Sequence, residues 1–97
     1  MKRMIYMLAT LTALAIAGHA EAACFADYKA KRDNPLRLHY GVIELPDAVC
    51  GNTSRAAAEI KTRLSAGKWQ LLNVLSVFVA GDMGDKEGRA GEFFLRF

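Results

Sequence analysis

An uncharged, mostly apolar run of 14 residues, Met4 to Ala17, follows the basic start Met1-Lys2-Arg3 and precedes Ala20-Glu21-Ala22. A charged start, an apolar middle and small residues one and three positions before a cut make up the layout of a secretory signal peptide. The run is shorter than the roughly 20 apolar residues that span a bilayer as a helix. It therefore predicts a segment removed on export, with an uncleaved N-terminal anchor as the alternative. That takes 1–22 out of the folding problem and sends the remainder to the periplasm or the medium. A lipid anchor on Cys24 is not expected, because Glu21 stands where such signals carry a leucine-like residue.

The remaining 75 residues hold 11 Lys and Arg once Lys2 and Arg3 are gone, and 9 Asp and Glu once Glu21 is gone. Net charge falls from +3 to about +2. Nucleic acid is an unsuitable partner for so mild a balance, since its binders present a dense basic face. The chain is long enough for one domain only. A chain this short buries only about 60% of its unfolded surface. Exported small domains compensate with disulfides, and Cys24 has only Cys50 to pair with, across a loop of 27 residues counting both. Closing such a loop stabilises by roughly 3.5 kcal/mol in the chain-entropy account. A redox-active pair is the alternative use of Cys24 and Cys50, but no C-x-x-C motif supports it.

The expected organisation is a leader over 1–22, a polar and basic N-terminal arm over 23–35, and a folded domain over 36–97. Asn34-Pro35 ends the arm, because the residue before proline avoids helical angles. Leu36 to Leu45 alternates, with Leu36, Leu38, Tyr40 and Val42 on one side and Arg37, His39 and Gly41 on the other, which predicts a half-buried strand. Asn52-Thr53-Ser54 offers helix N-caps, and it also fits the glycosylation pattern. A helix over Arg55 to Ala66 places Ala57, Ile60 and Leu64 on one face. Gly67 stands where a C-cap glycine belongs.

Trp69 to Ala80 is the most apolar stretch, rich in β-branched and aromatic residues. Its polar residues Gln70, Asn73 and Ser76 fall every third position, a spacing a helix would also produce. The flanking glycines favour a strand. Gly81 to Gly91 carries four glycines and reads as a mobile hairpin loop, and Glu92 to Phe97 alternates as a closing strand. The expected fold class is α+β: β-α-β-β, a single three-stranded sheet with one helix on one face and a disulfide-tethered N-terminal arm.

The stretches "IKTRLSAGKWQLLNVLSVF" and "GEFFLRF" resemble small bacterial β-α-β-β domains of unknown function, in which a helix ends Leu-x-x-x-Gly-Trp before an apolar strand. The likeness spans Leu36 to Phe97. It departs from the pattern at Lys68, inserted between Gly67 and Trp69. The resemblance implies fold alone and supplies no catalytic residue. The whole chain also resembles uncharacterised exported proteins of Gram-negative bacteria.

Chemistry is sparse. Past the leader, His39 is the sole histidine, with no Cys, Asp or Glu spaced as a metal set around it. The serines lack a nucleophile context. Gly81, Gly84, Gly88 and Gly91 precede a strand rather than a helix, so they form no phosphate loop. No cofactor is implied and no enzyme is expected. Tyr28, Lys29, Lys31, Arg32, Arg37, His39 and Tyr40 crowd into 13 residues and form a candidate binding patch for an anionic envelope component or an envelope protein. The expected function is a non-catalytic binding module. Inhibition of an envelope enzyme and thiol chemistry are the alternatives, and a homodimer through a sheet edge is a further candidate interaction.

Overall fold

The computed structural model describes residues 24–97; the expected leader lies outside the described residues. The fold is α+β, with a three-stranded antiparallel sheet in the order β2-β1-β3. Strand β1 covers Cys24–Arg32, β2 covers Arg37–Leu45 and β3 covers Gln70–Phe78. Between β2 and β3 lie a short helix α1, Asp47–Cys50, and the main helix α2, Thr53–Ser65. After β3 come a 3-10 turn at Ala80–Asp82, the short helix α3 at Lys86–Ala90 and a second 3-10 turn at Gly91–Phe93.

The three-stranded sheet, the helix on one face and the Cys24–Cys50 disulfide are as expected, but the segments supplying the strands differ. The stretch read as an arm is the central strand: Cys24 to Arg32 pairs with Leu45 to Arg37 on one side and with β3 on the other. Its alternation is carried by small residues. Cys24, Ala26, Tyr28 and Ala30 point into the core beneath α2. The first two strands form a hairpin turning through Asp33 to Leu36, with Asn34 at φ 61°, so no crossover joins them. The element order is thus β-β-α-β.

The face of β2 that meets α2 is the one read as polar, and its other face is buried in part. His39, Ile43 and Leu45 are buried on the first and Val42 on the second, whereas Leu36 and Leu38 are 64% and 65% exposed. The reason is the partner strand. Tyr28 lies directly opposite Gly41, and a Cβ at Gly41 would fall on the tyrosine's hydroxyl and ring carbons. The bare glycine backbone leaves room for the ring, and that fixes which face of β2 turns to the core.

Helix α2 starts as its sequence suggests, with Asn52 accepting from the Arg55 amide at 3.0 Å. The buried face is Ala56, Ile60 and Leu64, at i, i+4 spacing, and Ala57 is half-buried. The helix end uses Lys68 rather than Gly67 as its left-handed residue, at φ 65°. The Trp69 amide donates to Leu64 O at 3.1 Å and the Lys68 amide to Ser65 O at 2.9 Å. This is the Schellman pairing. It delivers Trp69 into the same core as Leu64.

The segment after β3 covers the sheet's other face. The expected hairpin loop is instead the 3-10 turn and α3, and 92–97 is no ladder strand. Phe94 makes one parallel bridge to Val42, and the Leu95 amide donates to Val42 O at 2.8 Å. Phe25, Tyr40, Val42, Phe78, Met83, Ala90 and Phe94 form this second, smaller cluster. Across that face Asp27, 4% exposed, accepts from Tyr40 Oη at 2.9 Å and from Ser76 Oγ at 2.6 Å, so one buried carboxylate links all three strands. A buried polar side chain needs such partners.

Candidate functional site

Strand alternation divides the candidate patch. Tyr28 and His39 face α2 and are buried. Lys29 is exposed and lies, with Leu38, Tyr40 and Leu72, along a shallow groove of about 260 Å³ on the opposite face. Lys31 lies across from Leu38 and is 3.5 Å from Asp33. Arg32 and Arg37 are direct cross-strand partners. Opposed residues of an antiparallel pair share a face, so both side chains emerge on the α2 side at the end of the sheet. The seven residues are therefore not one surface.

Arg32 and Arg37 do belong to a concave site, together with a residue outside the patch. Arg96 joins them at a pocket of about 270 Å³ walled by Trp69, Phe93 and Phe97. Each aromatic is placed by a separate feature. The Schellman turn positions Trp69, and the 3-10 turn at Gly91–Phe93 brings Phe93 and Phe97 back over the sheet end. Gly67 lines the same pocket, and a Cβ there would stand 3.0 Å from the Phe97 ring.

The arginines are anchored unequally. Arg32 donates from Nη2 to Gly67 O at 2.6 Å, and its guanidinium carbon lies 4.1 Å from the Trp69 ring centroid. Its Nε is buried without a hydrogen-bond partner. Arg96 lies 5.6 Å from the Phe93 centroid. Arg37 and Arg96 are exposed. Glu92 is the single carboxylate side chain among the described residues that line the pocket, set against the three arginine side chains.

Behind this wall His39 is enclosed by rings. It stacks on Phe93 at 3.8 Å and meets Trp69 edge-on at 4.3 Å. Its Nε2 and Tyr28 Oη share a hydrogen bond of 2.9 Å, and its Nδ1 is buried without a partner. Burial, then the positive charges of Arg32 and Arg96, push its pKa down to about 4. Burial also pushes Tyr28 up to about 12, so both groups are neutral near pH 7. The Asp27–Ser76 hydrogen bond lies on the far side of the sheet from His39. No group of three or more His, Cys, Asp or Glu that could hold a metal stands together among the described residues.

Sequence reasoning missed Arg96 and Phe97 as site residues because "EFFLRF" alternates like a strand. Trp69 was legible as a core anchor, and it is one, but the same ring forms a pocket wall. An arginine in a stretch with three phenylalanines, Phe93, Phe94 and Phe97, was the available signal. The disulfide is formed, with Cα atoms 6.1 Å apart, inside the limit of about 7 Å that a bridge tolerates. Comparison of the chain with family models, with curated proteins and with solved structures gives no match.

Proposed function

We propose that the protein is exported, loses residues 1–22, and acts outside the cytoplasm as a small disulfide-stabilised binding module without catalytic chemistry. Its recognition element is the pocket of Arg32, Arg37 and Arg96 over the aromatic wall, which takes an anionic group presented by an envelope component or protein. The observation that carries this reading is that three arginines, Arg32, Arg37 and Arg96, line one concavity with a single carboxylate side chain among the described residues. Arginine suits this task because its planar fork pairs with oxyanions two bonds at a time. The leader-like start agrees with that compartment.

Other readings receive less support. Thiol chemistry lacks a C-x-x-C motif, and both sulfurs are joined in the Cys24–Cys50 disulfide. Edge-to-edge dimerisation needs a free, regular ladder. The β2 edge already accepts a hydrogen bond at Val42 O, and the outer strand β3 carries two irregularities in its register.

The test is affinity capture from envelope extract with the oxidised chain beginning at Ala23. A specific component should be retained at low salt and released as ionic strength rises. Arg37→Glu with Arg96→Glu should abolish retention without changing the melting temperature. Retention indifferent to salt and to both substitutions would overturn the reading. An intact mass of the exported protein that still included 1–22 would overturn the compartment.

A further inference from the structure

We propose that the arginine pocket takes the dianionic head of a phosphate monoester. The inference rests on the anion-binding reading above and narrows its ligand. Among the side chains that line the pocket, Arg32, Arg37 and Arg96 are positive and Glu92 alone is negative. On side chains alone, a monocarboxylate would leave one positive charge in excess, whereas a dianion balances it. Arg32 and Arg37 stand directly opposite each other in the strand register, an arrangement that is destabilising for like charges unless something compensates. An oxyanion shared between the two guanidinium forks compensates it and uses their geometry.

A second, independent feature of the pocket points the same way. Arg32 is already fixed by its bond to Gly67 O and by its position 4.1 Å over Trp69. A guanidinium held in place in this way loses less freedom on pairing with an oxyanion than a free side chain would. Size restricts the group esterified to the phosphate. At about 270 Å³ the cavity is below the roughly 300–1,000 Å³ of sites for drug-sized ligands. It fits the head group and a few atoms beyond it, with Trp69, Phe93 and Phe97 against the ester's apolar side.

Phenyl phosphate and phenyl sulfate share shape and differ in charge at pH 8, two against one. Both are titrated into the oxidised chain beginning at Ala23, with benzoate as the planar monoanion, following Trp69 fluorescence and the His39 ring resonances. Phenyl phosphate should bind at least tenfold more tightly than the other two. It should also raise the His39 pKa, because it offsets the Arg32 and Arg96 charges that lie nearest the ring alongside the neutral Tyr28. Arg37→Gln and Arg96→Gln, both exposed, should each weaken binding about tenfold with unchanged melting, which keeps the test valid even if Arg32→Gln fails to fold. A parallel arm uses phosphatidylcholine vesicles with and without phosphatidic acid. Saturation by the soluble ester assigns a free phosphate ester, and saturation only by the phosphatidic acid vesicles assigns a lipid head group. Equal binding of sulfate or benzoate would overturn the dianion while leaving an anion-binding module in place. Absence of binding in every arm, with envelope capture intact, would overturn the phosphate ligand alone.

Discussion

His39 is held neutral by rings and by neighbouring positive charge, and this has a consequence for stability. In the unfolded chain a histidine titrates near 6.5, and in the fold His39 titrates near 4. Between those values the unfolded chain binds a proton that the folded chain refuses, so stability falls as pH drops from about 6.5 to about 4 and then levels off. Above pH 6.5 both states are neutral and His39 contributes no pH dependence. The full step is about 3 kcal/mol from the size of the shift. Urea unfolding at pH 7.5 and pH 4 should show it as a difference between wild type and His39→Gln; parallel pH profiles for the two would contradict it. Two backbone positions make opposite predictions at the same scale. Gly41→Ala would drive a methyl group into Tyr28 and should cost about 1–3 kcal/mol as overpacking. Lys68→Gly removes a side chain from a left-handed residue and should stabilise by up to about 1 kcal/mol, read from the urea midpoint.

Strand β3 shows why the sequence was ambiguous at the level of elements. Its polar residues recur every third position because the strand is bulged twice. Ser76 pairs with Asp27 but Val74 pairs with Tyr28, and Asn73 pairs with Lys29 but Leu71 with Ala30. Leu75 and Leu72 are the extra residues, and both are exposed. Each bulge shifts the alternation by one, so Leu71, Val74 and Val77 all reach the α2 core despite their spacing of three. Leu72→Ser and Leu75→Ser should therefore stay within about 0.5 kcal/mol of wild type, while Leu71→Ala and Val74→Ala should each cost at least about 1 kcal/mol. Denaturant midpoints decide this, and a large loss at Leu72 would mean an unbulged strand. Helix α2 was legible because its cap, composition and i, i+4 face agree. Strand β1 was not, because Ala26 and Ala30 are weak markers of a core face and Asp27 and Lys29 look like solvent residues. The pocket was legible only in part: Arg32 and Arg37 are near in sequence, but Arg96 reaches them through a chain reversal that no local pattern announces.

For the whole molecule, the disulfide has a different task from that of tethering an arm. Cys24 opens the central strand, which is paired on both sides along its length. Cys50 closes α1, with only Gly51 between it and the Asn52 cap of α2. The bond therefore fastens the connection into the helical layer onto a strand already held by the sheet. Removing it restores the entropy of a loop with a sequence separation of 26, so Cys50→Ser should lower stability by roughly 2–5 kcal/mol. The location of the loss is the sharper expectation. Amides of α1 and the first turn of α2 should exchange faster, because α1 buries no residue fully. Amides of β1 should keep their protection up to global unfolding, since releasing them breaks two ladders at once. Hydrogen exchange on Cys50→Ser separates the two arrangements. If β1 lost protection first, Cys24 to Arg32 would be held by the sulfur bridge. If α1 and the start of α2 loosen first, the central strand holds itself, and the bridge serves to keep the helical layer seated over Tyr28 and His39.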